Sequence, residues 1–330
     1  MKNKKPPFEI NEEMINDIIE IAELAGMASM NDIISSNPTL RRTNRIRTIH
    51  SSLAIEQNTL DIEQVTAILA GKHIIAPPKD IAEIKNAYEI YEHLDMLDPY
   101  DADDLLKAHG IMMRGLTDDA GQFRTRPAGV ADSSGNIIHF GTLPQYVPGR
   151  VCELLGWVKT SDIHMLIKSC VFHYELELIH PFSNCNGRIG RLWHTLLLSQ
   201  WKPMFAWLPI ESIIHDNQAE YYDAVNISNN IGESTVFIRF MLSVIKQALK
   251  ETLETHIKTY ENKHDMRIKA IEKFFDTHDF IMNNDVCNIC GVSSPTVTRL
   301  LNKLSKEGML KRVRIGSHWG YIKVRSYIEK

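Results

Sequence analysis

The densest chemistry in the chain lies in one run, His180-Pro-Phe182-Ser-Asn184-Cys185-Asn186-Gly187-Arg188-Ile-Gly-Arg191. Histidine is the side chain whose ordinary pKa lets it accept a proton near neutral pH. Arg188 and Arg191 stand three apart, so on a helix they project together. A helix beginning near Asn186 aims its unpaired N–H groups into the preceding loop, which makes an anion site. A helix N-terminus, two arginines and an adjacent histidine suit a polyphosphate beside a proton acceptor. A His-Pro turn followed by surface arginines is the bland alternative; the full spacing favours the chemical reading.

Two buried helices must hold this run. Before it, Ile163, Leu166, Ile167, Cys170, Val171, Tyr174 and Leu178 recur with helical period, and after it Ile189, Leu192, Trp193, Leu196 and Leu197 do the same. Pro181 ends the first helix near His180. Upstream, helical patterns cover 10–27, capped by Asn11, then 41–56 (Ile46, Ile49, Leu53), 80–97 and 103–116. Residues 121–141 break the period and read as a small β-hairpin, with Gly121-Gln-Phe-Arg-Thr and Asn136-Ile-Ile-His-Phe flanking Asp132–Asn136. Helices then run from 147 to about 258.

The run resembles the loop of the Fic family, H-x-F-x-(D/E)-G-N-G-R-x-x-R. The resemblance extends from about Ile46 to Phe240, including Gly121-Gln-Phe-Arg124, the helix bearing His173, and Tyr221-Tyr222. It implies a mainly α fold, a Fic-type helical bundle with a small β-hairpin flap. It also implies a protein adenylyltransferase that moves AMP from ATP, with Mg²⁺, to a Ser, Thr or Tyr hydroxyl of a target protein. His180 would be the general base and Phe182 the core anchor of the loop. Asn184, Cys185, Asn186 and Gly187 would cradle phosphates, and Arg188 and Arg191 would bind the outer ones. Tyr221 or Tyr222 would border the base. The hairpin, through Gly129, Val130, Ile137 and Ile138, would dock the target backbone by strand addition.

Two positions depart from the family pattern. Asn184 stands where the family has the acid that holds Mg²⁺; an amide oxygen carries no charge, so metal affinity should fall. Cys185 stands where the family has Gly, and a Cβ there crowds the phosphate approach and penalises any positive φ. Its place at a helix start also admits an activated thiol, against the plainer reading of a tolerated small residue. These two substitutions favour a second reading, a nucleotide-binding DNA-binding regulator with a weakly active or inactive core.

A brake is also implied. Fic proteins often carry an inhibitory helix, (S/T)-x-x-x-E-(G/N). Ser52 and Glu56 match its spacing, and Gln57 departs at the last position. By resemblance, Glu56 would pair with Arg191 and occupy the γ-phosphate site.

The chain has 330 residues and a formal net charge of −4, which alone speaks against a polyanion partner. The charge is uneven. Residues 265–330 hold 12 Lys/Arg and 7 Asp/Glu, against 25 and 34 before them. This basic tail reads as a winged helix-turn-helix: a short helix at 284–290, a turn with Ser294 as cap and Pro295 at the first helical position, a helix to Glu307, then a hairpin over 310–324. Thr296, Arg299 and Lys303 on its third helix suit DNA; a protein-contact role for the module is the alternative. Cys287-Asn-Ile-Cys290 lacks a second pair at zinc spacing and reads as helix core.

The expected domains are 1–100 (with the inhibitory helix at about 41–56), a Fic core at 101–262 and the winged helix at 265–330. Five scattered cysteines argue for a reducing compartment. With no long apolar segment and no signal-peptide h-region, a cytoplasmic protein without membrane attachment is expected. A second copy of the chain is a further candidate partner.

Overall fold

The computed structural model describes residues 5–30, 33, 34, 36–131 and 137–324, with only the backbone described at 130, 131, 137–140 and 259–263. The chain divides into two compact units, Met1–Leu253 and Glu254–Lys330. No described helix is long and apolar enough to cross a membrane.

The first unit is helical: α1 (Glu12–Met30), α2 (Pro38–Ala54), α3 (Ile62–Leu69), α4 (Pro78–Glu92), α5 (Ala102–Met112), α6 (Val147–Thr160), α7 (Met165–Ile179), α8 (Asn186–Trp201), α9 (Ile210–Asp216), α10 (Gln218–Ile231) and the start of α11 (Thr235–Phe274). Asn11 caps α1 as expected, accepting from the Met14 amide at 2.9 Å. The centre is the pair α7–α8. Most side chains of both are buried, polar ones included, so these two helices are the core rather than a cover for it.

A short hairpin, β1 (Gly129–Ala131) with β2 (Ile137–Phe140), follows α5. The turn expected at 132–136 lies outside the described residues. The first strand starts later than the sequence suggests, because residues 121–125 are spent elsewhere. The Arg124 amide donates to the Pro181 carbonyl at 3.0 Å, not across a hairpin.

The second unit is the winged helix. α12 (Asn283–Cys290) and α13 (Ser294–Lys306) precede β3 (Leu310–Ile315) and β4 (His318–Lys323), which pair antiparallel. Ile281 adds a single bridge to Tyr321. Val297, Leu300, Leu301 and Leu304 are buried along one face of α13, as the spacing predicts. Ser293, not Ser294, holds the cap position, and the Ser294 hydroxyl instead donates to Asn283 Oδ1 at 3.0 Å. Cys287 and Cys290 pack against this core. The helical run expected to end at about 258 continues as α11 to Phe274: residues 260–265 are polar but carry no Gly or Pro, and polarity alone does not end a helix.

Candidate functional site

α7 stops at His180, which turns left-handed (φ +52°), and Pro181 follows. α8 starts after a second left-handed residue, Cys185 (φ +73°). Both are non-glycine, and each costs about 1 kcal/mol. The cost at Cys185 is the one foreseen from the family's Gly, and it is borne. The loop between them closes on itself. Asn186 Oδ1 accepts from the Phe182 amide and its Nδ2 donates to the Phe182 carbonyl, both at 2.9 Å. Phe182 is fully buried. The amides of Asn186, Gly187 and Arg188 fall in the first turn of α8, where no intrahelical acceptor exists.

Arg124 holds the histidine end. Its guanidinium is buried and donates from Nε to the His180 carbonyl (2.6 Å), and from Nη2 to the carbonyls of Thr142 and Ile179. A Cβ on Gly141 would sit 2.7 Å from Arg124 Nη2 and 3.0 Å from His180 Cβ, so glycine is required there.

The two motif arginines do not share a target. Arg191 is buried; its Nε donates to Ser52 Oγ (3.1 Å), and its Nη2 to the Ser52 carbonyl (3.0 Å) and Glu56 Oε1 (2.9 Å). Arg188, also buried, pairs with Glu83 of α4 at 3.1 Å, and Glu83 in turn accepts from Asn58 at 2.9 Å. The expectation that both project together therefore divides: each meets a carboxylate from a different N-terminal segment. Arg191 lines the cavity beside the loop, and Arg188 is not among its lining residues.

Glu56 reaches the start of α8. A Cβ on Gly187 would lie 2.5 Å from Glu56 Oε1 and 3.0 Å from Arg191 Nη1, so the carboxylate rests against the helix N-terminus, in an anion's place. Burial raises its pKa, but Arg191, with Arg188 and His180, outweighs burial and holds it below the usual range. On Arg191, burial opposes the charge and Glu56 more than restores it. Gln57 turns left-handed (φ +68°), the conformation that the family's Gly or Asn favours at this position.

The cavity is about 250 Å³ and is lined by Glu56, Glu177, His180, Asn184–Gly187, Arg191 and one face of α10. On that face Tyr222 is 45% exposed, whereas Tyr221 is buried with its hydroxyl 3.2 Å from His173 Nε2. Tyr222 is thus the ring available to a planar ligand. Glu177 escaped the sequence reading, although it stands one helical turn before His180. Its Oε1 is buried without a hydrogen-bond partner, and its Oε2 is 4.0 Å from His180 Nδ1. Burial, then Glu56, push its pKa up to about 7. Glu83 was missed too, and only its position opposite Arg188 marks it.

Asn184 Oδ1 accepts from the Cys185 amide at 2.7 Å. Among the described residues no group of three or more His, Cys, Asp or Glu side chains converges to hold a metal ion. One neutral oxygen, already engaged, does not make a magnesium site. Cys185 is buried, its Sγ 3.3 Å from Met112 Sδ. Burial pushes its thiol up to about 12, the opposite of the activated thiol that a helix start allows.

Of the flap residues, Gly129 and Val130 lie on β1, and Ile137 and Ile138 on β2. In the second unit Arg299 and Lys303 are exposed on α13, and Thr296 is partly covered, 3.2 Å from Ser293 Oγ.

Residues 99–198 match the Fic/DOC family, and residues 267–318 a DeoR-like helix-turn-helix domain. The chain is 29% identical over 209 residues to "Protein adenylyltransferase fic-1" of Caenorhabditis elegans, covering 58% of this chain and 38% of that one. It is 26% identical over 273 residues to "Protein adenylyltransferase Fic" of Aedes aegypti, covering 75% and 50%. The chain thus spans half or less of the length of these relatives. The solved C. elegans Fic-1 (residues 134–508) shares the fold, with a TM-score of 0.59 at 20% identity over 74% of each chain. A Fic family protein from Desulfovibrio desulfuricans superposes with a TM-score of 0.74 at 35% identity, over 99% of this chain and all of the other. At 35% identity over nearly the whole of both chains, the chain belongs to the Fic family.

Proposed function

We propose that the chain is a protein adenylyltransferase held in check by Glu56. A hydroxyl of the target protein attacks the α-phosphorus of ATP. The new O–P bond forms as the bond to the β-phosphate oxygen breaks, and pyrophosphate leaves. His180 takes the hydroxyl proton. The opening amides of α8 and Arg191 bind the phosphates and offset the charge that develops on the leaving group. Tyr222 borders the base, and the β1–β2 hairpin aligns the target backbone. The observation that carries this reading is the Arg191–Glu56 pair at the cavity that His180 lines: a carboxylate already fills an anion site beside a proton acceptor. The relatives named as adenylyltransferases support it.

Mass spectrometry after incubation with ATP and Mg²⁺, on the purified protein and a cell extract, tests it. An AMP adduct lost in His180→Ala is expected. Absence of any adduct, even in Glu56→Gly, overturns the reading in favour of a regulator with a silent core.

The C-terminal module binds DNA through α13, with Arg299 and Lys303 toward phosphates and base edges and Lys311, Arg312, Arg314 and Lys323 on the wing. A gel-shift salt series checks this: retardation that weakens with salt is expected, and none at low salt ends the proposal.

A further inference from the structure

The loop is strained at both ends, and its internal bonds, Asn186 to Phe182 and Asn184 to Cys185, move with it as one body. Bonds to the rest of the fold must therefore fix it in place. Arg124 does so at the His180 end. At the Asn184 end stands His109, a buried residue of α5. Its ring stacks on Phe182 with centroids 3.9 Å apart and planes 4° from parallel. Both ring nitrogens are used. Nδ1 accepts from the Gly121 amide at 2.9 Å, and Nε2–H donates to the Asn184 carbonyl at 3.3 Å. That pattern requires a neutral imidazole with its proton on Nε2, and burial keeps it neutral by lowering its pKa to about 4.

Gly121 is itself fixed against α5. It is left-handed (φ +80°), and a Cβ there would lie 3.3 Å from the Leu106 carbonyl and 3.4 Å from Gly110 Cα. So Nδ1 is tied to a rigid point, and Nε2 carries that rigidity to the loop. Met112, one turn further along α5, meets Cys185 at the next position.

We propose that His109 is a positioning residue for the anion loop: through Nε2–H it holds the Asn184 carbonyl, and with it the left-handed backbone at Cys185 that presents the opening amides of α8 to the cavity. The functional consequence rests on the adenylyl-transfer reading; the geometric one does not.

Two substitutions separate the links. In His109→Gln the side-chain amide stands near Nε2 and keeps the donor to Asn184. In His109→Asn the side-chain oxygen stands near Nδ1 and keeps the acceptor for Gly121, leaving Asn184 without its donor. Both lose the stacked ring, so their melting temperatures should fall alike. Hydrogen exchange at Phe182, Cys185 and Ile189, whose amides are hydrogen-bonded within the loop and the first turn of α8, reads the positioning directly in the full chain. His109→Asn should accelerate it tenfold or more, and His109→Gln should stay within about threefold of wild type. ATP affinity by calorimetry should follow the same order. Equal exchange in the two variants overturns the proposal. If His109→Asn does not fold, a tenfold acceleration in His109→Gln overturns it, and near-wild-type exchange supports it. Glu56→Gly protein that binds no ATP while the exchange pattern holds would defeat the transfer reading and leave His109 in its role.

Discussion

Glu56 Oε1 lies 2.9 Å from Arg191 Nη2, a pair closed across 135 positions of sequence, with the arginine side chain only 1% exposed and the carboxylate 32% exposed. The asymmetry matters. The arginine cannot leave, whereas the carboxylate is tethered to a turn after α2 and can be displaced by a phosphate. Removing it takes away the largest opposite charge acting on the buried guanidinium.

Glu56→Gly should therefore tighten ATP binding and raise transfer. A hydrogen bond to a charged group is worth about 1.5–3 kcal/mol, or about 10–150-fold in affinity. Calorimetric titration with ATP, beside radiolabelled incorporation, reads it. Unchanged affinity in a folded variant removes the brake.

Asn184→Asp should restore a charged oxygen at the loop position where the family pattern has an acid. Metal dependence is the measurement: the Mg²⁺ concentration giving half-maximal ATP binding should drop by about tenfold, as expected for adding one anionic ligand. No shift would place any bound magnesium away from residue 184.

Cys185 should resist alkylation. With its thiol pushed up to about 12 by burial, almost none is thiolate at pH 7.5. Cys152, which is exposed, should react first with iodoacetamide. Peptide mapping that finds Cys185 labelled as early as Cys152 would contradict the buried geometry.

Glu177 should make stability depend on pH. Its folded pKa, about 7, is above the ordinary value of 4.5. The folded state therefore binds more protons than the unfolded state between those values, and stability falls as pH rises through that window. Glu175, raised by burial to about 7, acts in the same direction, so the comparison must be with a variant. Relative to wild type, Glu177→Gln should gain up to about 3 kcal/mol by pH 8 and nothing at pH 4. Denaturant melts across that range decide, and a pH-independent difference would show that the carboxyl does not titrate there.

Much was legible without coordinates. The loop from His180 to Arg191, the buried helices flanking it, the Ser52/Glu56 spacing and the apolar face of α13 follow from residue types and helical period, which are local properties. The positive φ at Cys185 was readable from a family glycine. The strand at 121–125 was misread because the signal for burying Arg124 against a distant loop is not local.

The sequence by itself determined which residues form the anion loop and which helices carry it, because spacing along a helix dictates a face. Only the tertiary structure decided what each face meets. Arg188 and Arg191 look equivalent in sequence, yet one closes on Glu83 and the other on Glu56. His109 becomes a brace only because α5 lies beside Asn184, and Glu177 a titrating group only because α7 is buried. Period specifies direction from an axis; the partner at the other end depends on where the chain returns, 139 residues away in the Ser52–Arg191 bond.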